Sequence, residues 1–376
     1  MANKGKRNKR KGNGRSSHND ASPRREGHEA PRNSVRRRSS ERPCLYVIQA
    51  HSPIHVGVGE ATGYINLPTA REVTTQYPYI PGSSVKGVLR EQAEILFGGA
   101  DEPQVVKAFG PPSERAGDSR GGLVFSDASL LFLPMRSLEL GFVMVSSPLI
   151  LRRFRRELMM AGYEELADHI TQDLLAGPGS DDAVFNVFGQ GMLIEDMKLE
   201  GKTSEALSTL WAGLEGLGLI DEADTTTSFY EKRLAVVSDE LFSYFVRLNL
   251  EVRSRVKIDP KTGTAAGSGP WLEEYMPAET LLYGIVMGRT TAYIPAPTML
   301  PGEDARAAGE GNGSPAGEAS LDDLVPETVS AEDNMNILAS MGLSSAFLRF
   351  GGKSSVGSGR AIFRLTKVAG EAGRAQ

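Results

Sequence analysis

The chain has 376 residues and 40% hydrophobic content, enough for one large folded domain or two modest ones with a real core. Its single cysteine, Cys44, excludes an internal disulfide framework, and with only His51, His55 and His169 beyond residue 43 a Cys/His zinc site is not supported. The formal net charge of −5 hides a split: residues 1–42 carry 14 Lys/Arg against 4 Asp/Glu, a net +10, and the remaining 334 residues a net −15.

Residues 1–42, with "KGKRNKRKGNGR" and "PRNSVRRRSS", have almost no apolar side chains to bury. The composition predicts a disordered basic arm that neutralises phosphates of RNA or another polyanion, a solvated tail that binds nothing specific, or a stretch upstream of the true start. In the acidic remainder, any anion site must come from local geometry. The longest apolar runs, such as "LLYGIVMG" and "SLLFLPM", fall short of the roughly 20 residues that span a bilayer, and no apolar stretch follows the N-terminal charges. A soluble cytoplasmic protein is expected, with no membrane partner.

Folded character begins at "CLYVIQAHSPIHV", where alternation predicts a half-buried strand ending at Pro53. The Gly-, Pro- and Thr-containing stretch "GVGEATGYINLPTAREVTTQYPYIPG" predicts a long loop, a type of segment that is usually functional or mobile. "SSVKGVLREQAEILFG" then sets Val85, Val88, Leu89, Gln92 or Ala93, and Leu96 on one helical stripe, with Ser83 or Ser84 as N-cap. "GGLVFSDASLLFLPM" and "GFVMVSS" read as strands, and "SPLILRRFRRELMMAG" as a helix capped by Ser147, with Arg152, Arg153, Arg155 and Arg156 around its polar side.

Helices near 163–176 and 203–215 flank a strand at "GMLIEDMKLE", and "SDELFSYFVR" predicts a short helix capped by Ser238. "LEVRSRVKIDPKTGTA" predicts a strand entering a hairpin, with Leu250, Val252, Val256 and Ile258 on an apolar face and Arg253, Arg255 and Lys257 on a mostly basic one. "ETLLYGIVMG" is a further strand. Residues 298–330, acidic and rich in Gly and Ala, predict a disordered insertion. A helix at "AEDNMNILASMG", then strand, Gly-rich turn and strand, lead to a 369–376 tail. Two separated strand–helix–strand passages predict an α+β, ferredoxin-like core with a large middle insertion.

Two turns carry the chemistry. "GSSVKGVLRE" would offer a phosphate backbone N–H groups, two hydroxyls and the Lys86 and Arg90 cations at a helix N-terminus, or serve as a plain helix cap. "GGKSSVGSG" poses the same choice. Its "GKS" is not a Walker A motif, because position 347 is Phe where that motif needs Gly, and a strand pattern follows it.

Together, "HSPIHVGVGEATGYINLP", "ARE", "YPYIPGSSVKGVLR", "GGLVFSDASLLFLPMRSLELGFVMVSSP" and the closing Gly-rich turn resemble the RAMP superfamily of CRISPR-associated proteins, and within it the backbone-subunit family of the type III-B Cmr effector. The resemblance covers most of residues 44–366. It implies a RAMP domain over 43–368, with a ferredoxin-like, RRM-related palm and an inserted thumb, polymerising along a CRISPR guide RNA with further copies of itself and other type III effector subunits. It assigns RNA contact to Gly82, Ser83, Ser84, Lys86, Gly87 and Arg90, and to Gly352, Lys353, Ser354 and Gly357. For Arg152–Arg156 and the basic hairpin face a solvated surface is the expectation.

One departure bears on activity. Where the resemblance implies an aspartate that cuts complementary target RNA, this chain has Asn66. RNA scission by the 2′-hydroxyl needs an anion to take a proton or hold a metal, and an amide does neither well. The expectation is a binding and scaffolding subunit with slicing lost or reduced, without a stably bound cofactor, and with Mg²⁺ needed only if cleavage is retained. Two alternatives stay open: an active endoribonuclease using Glu60 or Glu72 of the same loop, and a guide-precursor-processing RAMP enzyme using a histidine such as His51 or His55.

Overall fold

The computed structural model describes residues 43–115, 119–179, 182–220, 227–267, 269–293 and 326–366. The expected basic arm, the 369–376 tail and residues 298–325 of the expected insertion lie outside the described residues. In chain order, β1 (Cys44–Ala50), β2 (Tyr79–Ile80), α1 (Gly82–Phe97), α2 (Pro103–Phe109), β3 (Leu123–Phe125) and β4 (Ala128–Ser137) come first. The middle region holds β5 (Gly141–Ser146), α3 (Pro148–Ala161), α4 (Glu164–Asp168), α5 (Gln172–Ala176), β6 (Ala183–Asn186), β7 (Met192–Ile194), β8 (Met197–Thr203), α6 (Glu205–Gly216), α7 (Thr227–Glu231), β9 (Leu234–Val236), α8 (Asp239–Leu248), β10 (Glu251–Arg255) and β11 (Trp271–Tyr275). β12 (Leu281–Gly288), β13 (Thr291–Tyr293), β14 (Glu327–Val329), α9 (Ala331–Ser340), β15 (Ala346–Arg349) and β16 (Arg360–Leu365) follow.

The central sheet runs β15-β16-β1-β12-β4, every neighbour antiparallel, with Ile48 opposite Phe363 and Tyr46 opposite Gly284. α1 precedes β4 in the chain and α9 precedes β16. Both helices bury their stripes (Val85, Leu89 and Ala93; Met335 and Leu338) in one cluster with Tyr46, Ile48 and Phe363. Leu45 and Val47, on the opposite face of β1, enter a second cluster with Phe154 of α3 and Phe242 of α8. β1 is therefore buried at all seven positions rather than on one face. Its run, apolar apart from Gln49, is the mark of a strand covered on both sides.

β4 belongs to two sheets. Its first half pairs with β12, and residues 133–137 pair with β5. From there β5, β9, β6, β8 and β7 follow in order, and Ser137 opposite Ile194 brings β7 back to β4, closing a six-stranded ring. The expected strand at "GMLIEDMKLE" is two strands, β7 and β8, joined by a tight turn with Glu195 at φ 53°. A non-glycine residue in the left-handed region gives no turn signal in the sequence. β14 lies inside the stretch expected to be disordered: it pairs with β13, and Lys107 ties it to α2 through Glu327 at 2.9 Å. No described helix is long and apolar enough to cross a membrane.

Candidate nucleic-acid interface

α1 begins at Gly82, with Pro81 in the N-cap position. Neither Ser83 nor Ser84 caps it, contrary to the sequence expectation. The cap comes from the break between β3 and β4, where the Asp127 carboxylate accepts the Gly82 N–H at 2.7 Å. A Cβ at residue 82 would lie 2.6 Å from the Phe125 carbonyl oxygen, so only glycine lets the helix start against that break. A protein anion already sits at the positive end of the helix. α3 follows the same pattern, since Ser147 makes no side-chain capping bond and Asp239 accepts the Leu149 N–H at 2.8 Å.

The cations are arranged differently from the sequence expectation. Lys86 donates to the Leu123 carbonyl at 3.0 Å, and Arg90 is taken up by Glu94 at 2.7 Å and the Pro111 carbonyl at 3.0 Å. Burial lowers the Lys86 pKa, and nearby Arg289 and Arg90 push it the same way. A cleft of about 450 Å³ beside it is lined by Gly82, Ser83, Lys86, Arg120 and Arg289, among others. An anion placed there would relieve the crowding of like charges. Arg120 and Arg289 were missed from sequence because only the β3–β12 pairing brings their segments to α1. Gly87 is exposed with open space beside it, and Ser84 is half-buried.

The Gly-rich turn is a separate surface. Gly352 donates to the His55 carbonyl at 2.9 Å, and Gly351, Lys353 and Gly357 all take positive φ. Ser354 and Gly357 are exposed, but the Lys353 ammonium is bound to Glu273 of β11 at 2.8 Å. Glu273 is buried, and it also accepts from Trp271 Nε1 at 2.8 Å and from Arg255 at 3.3 Å. Burial pushes its carboxyl up, but hydrogen bonds from Lys353, Tyr275 and Trp271 outweigh that and hold it at about 2.

β11 also carries the loop that bears Asn66. The Asn66 side-chain oxygen accepts the Leu272 N–H at 2.8 Å, Leu67 N–H donates to the Leu272 carbonyl at 3.0 Å, and Glu274 N–H donates to the Leu67 carbonyl at 3.0 Å. Glu274 then grips Arg71 at 2.7 Å and accepts the Thr69 N–H at 3.1 Å. Glu72 is not an available acid, because Arg153 holds it at 2.8 Å and Thr75 donates to it as well. Glu60 is exposed, with no partner among the described residues. His55 is buried against Tyr275, its Nδ1–H donating to the Glu274 carbonyl at 2.7 Å, whereas exposed His51 packs edge-on to Phe347.

Two basic surfaces depart in part from expectation. Arg152 and Arg156 are exposed as expected, although Arg152 also donates to the Leu175 carbonyl, whereas half-buried Arg153 and Arg155 are bound to Glu72 and the Ala167 carbonyl and hold helices and loops together. The β10 hairpin is inverted: Arg253 lies 4.9 Å from the Tyr275 ring and Arg255 reaches Glu273, while Val252, Val256 and Ile258 are exposed. Buried Glu273 of β11 draws Arg255 inward, and Arg253 pairs with Glu251 beside the Tyr275 ring, which an alternation pattern cannot reveal. Among the described residues no group of three or more His, Cys, Asp or Glu could hold a metal ion.

The RAMP superfamily matches this chain over residues 47–363. The CRISPR system Cmr endoribonuclease Cmr4 of Pyrococcus furiosus is 34% identical over 239 residues, which is 63% of this chain and 78% of that protein. The crystal structure of oligomeric Cmr4 from Pyrococcus furiosus superposes with a TM-score of 0.58 at 22% identity, over 88% of this chain and 100% of that one. A chain of the type III-B Cmr-beta complex bound to cognate target RNA gives 0.60 at 18% identity, over 86% and 96%. These structures share the fold. The sequence match extends over nearly all of the described residues, and the chain belongs to the RAMP superfamily as a Cmr4-like protein.

Proposed function

We propose that this protein is a guide-RNA-binding backbone subunit of a type III CRISPR effector, acting in the cytoplasm alongside further copies of itself and other effector subunits. Complementary target RNA would pair with the guide, and target slicing is lost or reduced. The β16-β1-β12-β4 order, with α1 and α9 in the connections, supports reading the central sheet as a ferredoxin-like palm and the middle region as its inserted thumb. The observation that carries RNA binding is the cleft at the start of α1, where Lys86, Arg120 and Arg289 gather in a strongly acidic body. A subunit that holds a guide by its backbone needs cations and close-approach glycines rather than base-specific side chains.

The named activity of the relative, an endoribonuclease, keeps one second reading in view. If this chain cuts RNA, Glu60 is the loop acid left to do it, and Mg²⁺ would then be required. A guide-processing role would fall to exposed His51, because His55 is buried with its Nδ1 committed.

The cleft is tested by Lys86→Ala combined with Arg289→Ala. Guide affinity should fall several-fold, and the slope of log K against log salt should flatten by roughly 0.7 for each phosphate no longer neutralised. A folded double variant with unchanged affinity and slope would remove this site from the reading.

A further inference from the structure

The geometry points to Tyr64 as a stacking platform for a nucleobase of the bound target strand, beside residue 66. This rests on the proposal that the Asn66 loop faces complementary RNA. Tyr64 is 86% exposed, and with Val73 it is one of the two most exposed large hydrophobic residues among those described. A tyrosine ring on a slack loop usually folds back onto the protein, because its apolar faces gain from burial.

Here it is kept from doing so. The Ala61 N–H donates to the Asn66 carbonyl at 2.9 Å, closing a turn over residues 61–66, and Asn66 and Leu67 are themselves fastened to β11. Tyr64 therefore projects from a turn anchored at its end. Side chains built at Gly59 and Gly63 would meet nothing within 4 Å, so the space around the turn is open.

The surroundings favour a base over a protein surface. A protein interface needs a contiguous apolar core, whereas the neighbours of this ring are exposed Gly63 and half-buried Ile65, with exposed Thr62 beyond, and its own π faces stand open. Every base has a π face, so one tyrosine can serve any target sequence, as a guide-directed binder requires. Residues two apart have Cα atoms at most about 7 Å from one another, so a base on Tyr64 would belong to a nucleotide at, or next to, the one facing residue 66.

The test uses guide-loaded full-length protein and complementary RNA carrying 2-aminopurine at successive positions. Wild type should quench the fluorescence at one or more positions. Tyr64→Ala should abolish that quenching and weaken target binding on the order of 10-fold, while Tyr64→Phe retains both and neither change alters guide affinity. Unchanged quenching and target affinity in Tyr64→Ala would overturn the assignment, as would loss of guide loading in parallel with target binding, which would place the ring in an assembly contact. A wild-type complex that fails to bind complementary RNA would instead bring down the underlying reading and the Tyr64 assignment with it.

Discussion

At position 66 the side chain does two separable things. Its Oδ1 accepts the Leu272 N–H and docks the loop on β11, a task that a carboxylate oxygen performs equally well. What the amide lacks is charge. Asn66→Asp should therefore keep the loop in place and supply the missing anion at almost no steric cost. In an assembled complex with Mg²⁺ and guide-complementary RNA, wild type should cut slowly or not at all, and the variant should gain cleavage, read on a denaturing gel. Wild-type cleavage that survives Asn66→Ala would show that another group does the chemistry, with Glu60 the first to test. The residue types of this site were legible in the sequence, but their commitments were not. Glu72 and Arg153 are 81 positions apart, and nothing local to either shows that they neutralise each other.

Among the elements, those with strong local signals formed as their residues dictate. α8 is capped by Ser238, α9 carries a Ser330–Asp333 capping box, and β1 and β12 follow their apolar runs. Where a distant side chain decides, the sequence was silent: α1 and α3 take their caps from Asp127 and Asp239, and β10 turns its arginines inward toward β11. β11 is the junction of the candidate site, because Glu273 holds the Gly-rich turn and Glu274 holds the Asn66 loop. Glu273 titrates at about 2 against an ordinary 4.5. With the folded pKa depressed, its contribution is complete above about pH 4.5 and is lost as pH falls toward 2, on the order of 3 kcal/mol in all. Urea unfolding of wild type and Glu273→Gln should give a stability gap that is widest at neutral pH and narrows across that window. Parallel curves from pH 7 to pH 2 would show that Glu273 contributes no such linkage.

For the whole molecule, charge divides the sequence into a basic N-terminal stretch and an acidic remainder. The RAMP match begins at residue 47, after the basic N-terminal stretch, and the acidic remainder supplies both apolar clusters. A net charge of −15 on residues 43–376 repels RNA at long range, so the proposed Lys86 cleft would act only once a strand is already close. Fourteen cations in residues 1–42 would offset that repulsion without reading sequence. Deleting residues 1–42 should therefore weaken guide binding most at low salt, with the difference from wild type shrinking as salt rises past physiological strength, where the screening length is about 8 Å. The melting temperature should stay the same, because those residues carry almost no apolar surface to bury. Filter binding across a salt series, paired with thermal unfolding, tests both halves at once. A large fall in melting temperature would make the arm part of the fold, and a salt-independent loss of affinity would make its contact with RNA specific rather than electrostatic.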